Sequence, residues 1–157
     1  RLGAWDGGGN RSGQGLACHW MRLGDTSARI ACVATARQGP RGIEVTHLAA
    51  ALDIGRVINR DIAVQQVEGG LIYGLSLALG SATHYAGGLP THGKLRELAL
   101  PVLAGSPDIR VDFIASDAPT FDPGELPVAV AAPALGNALY SATGIRLRRL
   151  PFTMSPA

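Results

Sequence analysis

The sequence predicts an α+β fold, mixed or antiparallel strands with two main helices, and three observations carry that expectation. Apolar residues recur at spacings of three and four between residues 61 and 79, the period of an amphipathic helix. Short stretches at 29–37, 43–48 and 109–114 are rich in β-favouring residues, the last two alternating apolar with polar, and are bounded by Gly/Pro turns. Hairpin signals are interspersed with the helical patterns, which argues against a regular βαβ alternation. The 157 residues suffice for one domain with its own core.

Residues 3–15 hold six glycines, a density that disfavours regular structure because ordering glycine loses the most backbone entropy, so a loop or linker is expected. This loop lacks the Gly-Lys-Ser/Thr ending of a phosphate-binding P-loop, and Gly13-Gln14-Gly15 meets Cys18 where a dinucleotide fingerprint needs glycine. Leu16–Met21 and Arg29–Ala36 read as strands, the second ending at the turn Gln38-Gly-Pro-Arg-Gly42 and pairing with Ile43–Leu48 as an antiparallel hairpin. The apolar phase then slips from odd positions (Ile43, Val45) to even ones (Leu48, Leu52, Ile54), which predicts a bulge near Thr46–Ala49.

The helix over 61–79 has Asn59 as its expected N-cap and Asp61 where negative charge suits the helix dipole. Its interior carries Gly69, Gly70 and Gly74, each costing about 1 kcal/mol against alanine, which calls for close approach of another backbone or of a ligand. A hairpin is expected around Gly87-Gly88, a half-buried strand over Ile109–Ile114, a loop through Pro119, Pro123 and Pro127, and a second helix from Pro133 to Ala142 ending before Gly144. The organisation is thus a Gly-rich segment 1–15, a folded unit 16–151 and a tail 152–157.

A net charge of +2 and one short basic cluster, Arg146-Leu-Arg148-Arg149, do not make the stripe a nucleic-acid binder needs. Two cysteines without a Cys-x-x-Cys pair give neither a disulfide framework nor a zinc site, so a reducing compartment, the cytoplasm, is the default, with the periplasm left open. No apolar run approaches the roughly 20 residues of a membrane span. The start at Arg1 on a glycine-rich stretch reads as a processed product or the interior of a longer chain.

Among residues able to carry chemistry, Glu125 lies between Gly124 and a long apolar run, where apolar walls would disfavour its ionised form and suit it as a general base; the competing reading is an ordinary surface glutamate. Gln65 and Gln66 offer amides to a ligand, or are simply exposed helix formers. His19, His47, His84 and His92 show no metal-ligand spacing, and no nucleophile-elbow or reactive-cysteine motif is present.

Taken in order, Asp53-Ile-Gly-Arg-Val-Ile-Asn59, Gln65-Gln-Val-Glu-Gly-Gly-Leu-Ile-Tyr-Gly-Leu-Ser-Leu-Ala-Leu79, Gly124-Glu125, Ala132-Pro-Ala-Leu-Gly-Asn-Ala-Leu-Tyr-Ser-Ala-Thr-Gly144 and Arg148-Arg-Leu-Pro151 resemble the end of the molybdopterin-binding large subunit of the xanthine dehydrogenase and aldehyde oxidoreductase family of molybdenum hydroxylases. The spelling is most similar to the branch with the isoquinoline 1-oxidoreductase beta subunit. The likeness runs from about Gly13 to Pro151. It departs at Pro123-Gly-Glu-Leu-Pro, where the family usually reads Val/Ile-Gly-Glu-Pro-Gly, and at Asn59-Arg60, where Asn-Pro is common; the spacing from Glu125 to Pro133 is kept.

The resemblance implies part of the second molybdopterin-binding domain of an oxidoreductase that oxidises an aldehyde or N-heterocycle with water-derived oxygen. It implies Glu125 as the catalytic base, and Gln66, Gly69, Gly70 and Gly124 as cofactor-binding positions, with no side-chain metal ligand. The implied cofactor is molybdenum-molybdopterin in its cytosine dinucleotide form, shared with another chain, with 2Fe–2S clusters on a partner subunit. The implied partners are the remainder of the molybdopterin subunit and that 2Fe–2S subunit. The alternative is a non-catalytic remnant or interaction module of the same fold without bound molybdenum.

Overall fold

The computed structural model describes residues 5–8, 11–98 and 100–154. Strands β1 (Gln14–Leu23), β2 (Thr26–Gly39) and β3 (Gly42–Asp53) form an antiparallel meander; helix α1 (Arg60–Leu79) follows, then a short hairpin of β4 (Tyr85–Ala86) and β5 (Leu89–Pro90), strand β6 (Asp108–Phe113) and helix α2 (Leu126–Thr143). The main sheet has the order β1-β2-β3-β6, and β6 lies parallel to β3, a pairing that needs the long crossover which α1 and the segment after it supply. Both the fold class and the two helices thus agree with the sequence.

Alternation along β2 and β3 buries Ala28, Ile30, Cys32, Ala34 and Ala36, then Leu48, Ala50 and Leu52, on the helix side of the sheet. The phase of β3 is set by a bulge: Thr35 pairs with His47 and Ala36 with Val45, leaving Thr46 as the extra residue, within the stretch where the apolar phase slips. Many of these core positions are alanines, and α2 meets them with Ala131, Ala134 and Ala138, so helix and sheet approach closely. At Gly15 a side chain would collide with the α2 backbone at Ala134, Asn137 and Ala138. The glycine-rich segment therefore enters the sheet at Gln14, and Gly13 accepts a hydrogen bond from Ala36 N–H at 2.8 Å.

α1 starts as expected, with Asn59 Oδ1 accepting from Ile62 N–H at 3.1 Å. It meets the length and hydropathy of a membrane span, contrary to the expectation that no stretch would, but Val67, Leu71 and Ala78 are fully buried against the core, which marks it as a core helix. The hairpin at Gly87-Gly88 takes φ of 58° and 81°, the left-handed pair that a two-residue turn requires.

α2 begins at Leu126, seven residues before the start expected at Pro133. Pro127 occupies the first turn, where a missing N–H costs nothing, whereas Pro133 lies inside the helix. Pro133 and Ala129, whose carbonyl loses its partner, are both exposed, so solvent can take up that carbonyl. Past the helix, Phe152 returns to the core: its N–H donates to Ala78 O at 2.6 Å and its ring fills the space over Gly136, 3.1 Å from where a side chain there would begin.

Candidate functional site

The expected site residues lie on two elements, and what joins them is the loop from 114 to 125. This loop runs beside the end of β3 and the β3–α1 connection and is tied to them by Ile114 N–H to Leu52 O (2.7 Å), Arg56 N–H to Ala118 O (3.0 Å), Phe121 N–H to Ile54 O (2.9 Å) and Thr120 Oγ1 to Arg56 O (2.8 Å). Gly55 permits this approach: its φ is +69°, and a side chain would meet the Pro119 carbonyl and lie 2.6 Å from that of Ala118. Buried Phe121 anchors the same stretch.

Beyond Phe121 the chain turns into α2 through Asp122, whose Oδ1 accepts from Gly124 N–H at 2.9 Å and from Gln66 Nε2 at 3.4 Å. Gly124 then lies beside α1: a side chain on Gly70 would begin 3.1 Å from Gly124 O and 3.2 Å from the Pro127 ring. Glu125 is the N-cap residue of α2, exposed, and its side chain makes no capping bond. The structure therefore gathers Gln66, Gly70, Gly124 and Glu125 at one end of the helix pair. A recess of about 310 Å³ beside them is lined by Asn59, Ile62, Gln66, Thr120, Phe121 and Asp122.

Gly69 is not part of this group. It opens on another side of α1, in a groove shared with Gln65, Glu68, Ile72 and the residues entering β6, and nothing lies within 4 Å of where its side chain would be. Gly70 and Gly74 serve helix packing: a methyl on Gly74 would lie 2.7 Å from Ala131 Cβ and 2.9 Å from Val128 O. Of the two reasons offered for the costly glycines, close backbone approach accounts for these two. The larger cavity of about 640 Å³ sits further along α1, between Ile43, Leu75, Leu79 and the segment 100–107, and touches none of the expected site residues.

The apolar walls expected around Glu125 are not supplied by the described residues, because the side chain is exposed. His84 and His92 come together with ring centroids 5.9 Å apart, yet the described residues contain no group of three His, Cys, Asp or Glu able to hold a metal ion. Cys18 and Cys32 remain free thiols on opposite faces of the sheet, since Cys32 is paired with Ala17 across the ladder and Cys18 with Ala31. Burial, and secondarily Cys18, pushes the Cys32 thiol up to about 12.

Two residues of this region escape a residue-by-residue reading. Gly55 and Asp122 act through partners far along the chain; only the Asp-Pro-Gly spelling, a turn signal in which an Asp oxygen takes the N–H two residues on, hints at the second.

The family model for the molybdopterin cofactor-binding domain matches residues 40–107, which include Gln66, Gly69 and Gly70 and stop short of Gly124 and Glu125. The isoquinoline 1-oxidoreductase subunit beta of Brevundimonas diminuta is 30% identical over 148 residues, 93% of this chain. The chain belongs to the molybdenum hydroxylase family. It spans 19% of that relative's length. A membrane-bound aldehyde dehydrogenase (pyrroloquinoline-quinone) of Gluconacetobacter polyoxogenes is 34% identical over 104 residues, 66% of this chain and 14% of its own length. The aldehyde oxidoreductase of Desulfovibrio gigas superposes on 80% of this chain with a TM-score of 0.71 at 25% identity, using 14% of its own length. The chain thus corresponds to a small part of each relative.

Proposed function

We propose that this chain is part of the molybdopterin-binding subunit of an enzyme that oxidises an aldehyde or N-heterocycle, and that it supplies the catalytic base, Glu125, and part of the cofactor wall. The observation that carries the reading is the placement of Glu125. A glutamate at a helix N-cap that does not cap the helix, on a loop held to α1 by Gln66 and to the end of β3 and the β3–α1 connection by four hydrogen bonds, is a carboxylate kept free on a rigid support.

The residues present fit the cofactor. Gln66 keeps Oε1 without a partner among the described residues, Gly124 presents backbone without a side chain, and the N-terminus of α2 favours an anionic group. Molybdenum would be carried by its organic ligand, as the resemblance implies, with Gln66 and the Gly124 backbone holding that ligand in place. When bound, the molybdenum cofactor supplies the centre that accepts the electron pair from the substrate. Glu125 takes the proton from the attacking water-derived oxygen at its carboxylate, and Gln66 orients by hydrogen bonding. Gly70 contributes indirectly, by letting α1 and the Gly124 turn approach.

The cofactor is taken as the cytosine dinucleotide form, and the 2Fe–2S clusters that carry electrons away are placed on a partner subunit, in the cytoplasm. The remainder of the molybdopterin subunit covers Glu125 and supplies the apolar walls that tune it. Tyr85, Leu89, Leu95, Val102 and Leu103, all two-thirds or more exposed, belong to its contact surface. The exposure of Glu125 is also the observation that favours the second reading, a non-catalytic module of the same fold. Glu125→Gln in the purified assembly separates the two: unchanged molybdenum content with lost turnover supports the base, and unchanged turnover supports the module.

A further inference from the structure

We infer that Asp122 is a positioning residue that fixes Gln66 and the Gly124–Glu125 turn against each other; the inference rests on the reading of Glu125 as base. A single oxygen, Asp122 Oδ1, receives both the Gly124 N–H at 2.9 Å and Gln66 Nε2 at 3.4 Å. The first bond closes the turn that sets the direction in which α2 leaves the loop. The second reaches a different helix, 56 residues away in sequence, and a local turn does not need it.

The ends of this bridge are themselves held. Phe121 is buried and bonded to Ile54 O, so the backbone before Asp122 is fixed, and Gly124 O lies against α1 at Gly70. Glu125, in contrast, has no side-chain bond of its own at the helix start. Its position relative to Gln66 therefore passes through Asp122, the one described side chain bonded to both the turn and α1. The carboxylate makes the 2.9 Å bond from Gly124 N–H charge-assisted, whereas the 3.4 Å contact from Gln66 is long, and exposure lowers the worth of both.

The test uses the chain in its native assembly with Asp122→Ala, Asp122→Asn and Gln66→Met, reading amide hydrogen exchange at Gly124 alongside kcat and KM. Asp122→Ala is expected to speed exchange at Gly124 about tenfold and to lower kcat about tenfold with KM changed less than twofold. Asp122→Asn, whose side-chain oxygen accepts the same two bonds, is expected to restore both readouts to within about threefold. Gln66→Met, an exposed position, is expected to leave exchange at Gly124 unchanged, and if Asp122→Ala does not fold, Asp122→Ser, which keeps a short acceptor for the Gly124 N–H, is expected to hold that exchange near wild type while lowering kcat, so that wild-type kcat in it overturns the bridge to Gln66. Wild-type exchange in Asp122→Ala, or an Asp122→Asn variant as impaired as Asp122→Ala, overturns the inference. Glu125→Gln measured in parallel separates the two claims: full turnover there removes the base, while Gly124 exchange still decides whether Asp122 holds the turn.

Discussion

Alanine at Gly69 and at Gly74 should change stability in opposite directions, although both lie inside α1 and the chemical change is the same. Removing a glycine from a helix interior gains about 1 kcal/mol from propensity alone. At Gly69 the new methyl enters open space, so most of this gain survives, and Gly69→Ala should stabilise by about 0.5–1 kcal/mol. At Gly74 the methyl would stand 2.7 Å from Ala131 Cβ, 2.9 Å from Val128 O and 3.2 Å from Val128 Cα, all on α2. Ordinary carbon contacts need about 3.5–4 Å, so the helices must separate, and backbone atoms cannot swing aside as a flexible side chain could. Overpacking of this kind costs about 1–3 kcal/mol, and contact with two backbone atoms as well as a methyl puts Gly74→Ala in the upper part of that range, a net destabilisation of up to about 2 kcal/mol after the propensity gain. Urea unfolding of the two variants with unchanged m-values should therefore place their midpoints on either side of the wild type. A Gly74→Ala variant as stable as Gly69→Ala would refute the close packing of α1 on α2.

Gly55→Ala should loosen the loop from the β3–α1 connection, because the substitution meets two carbonyls and demands a positive φ, and amide exchange at Arg56 and Phe121 should accelerate while the sheet core stays protected. For the thiols, one should react with an aromatic disulfide reagent at pH 8 in the native chain and two in denaturant, since Cys18 is exposed and Cys32 buried. Because the folded thiol of Cys32 is raised from 9.0 to about 12, the stability it contributes is complete below pH 9 and is lost as pH climbs toward 12, so Cys32→Ala should flatten the alkaline fall in stability. Equal slopes in the two proteins would show that Cys32 is not held neutral by burial.

What the sequence reveals here is what neighbouring residues decide. The Gly87-Gly88 turn, the Asn59 cap and the extra residue at Thr46 each follow from a few adjacent positions, and the structure has all three. The start of α2 does not, because two prolines compete for the first turn, and only burial of Leu126, Val130 and Ala131 in the core extends the helix back to Pro127. The β3–β6 pairing, the role of Gly55 and the Asp122–Gln66 bond join residues distant in sequence, and no local pattern encodes such meetings. Glycine cost in α1 signalled a close approach correctly, but which glycines face α2 and which face open space depends on helix orientation. Glu125 is marked in the sequence by its place between Gly124 and an apolar run and by the resemblance; its non-capping placement on a tied loop is visible only in three dimensions.

We propose Glu125 as the base of a molybdenum-dependent oxidation, and turnover per molybdenum in the purified assembly carrying Glu125→Gln tests that role at the proton it removes. Glutamine keeps the size and hydrogen-bonding reach of the side chain but cannot accept the proton, and loss of a general base lowers rate by about 10²–10⁴-fold. The account predicts molybdenum content equal to wild type, assembly intact and turnover reduced within that range. Wild-type turnover per molybdenum in this variant would contradict it.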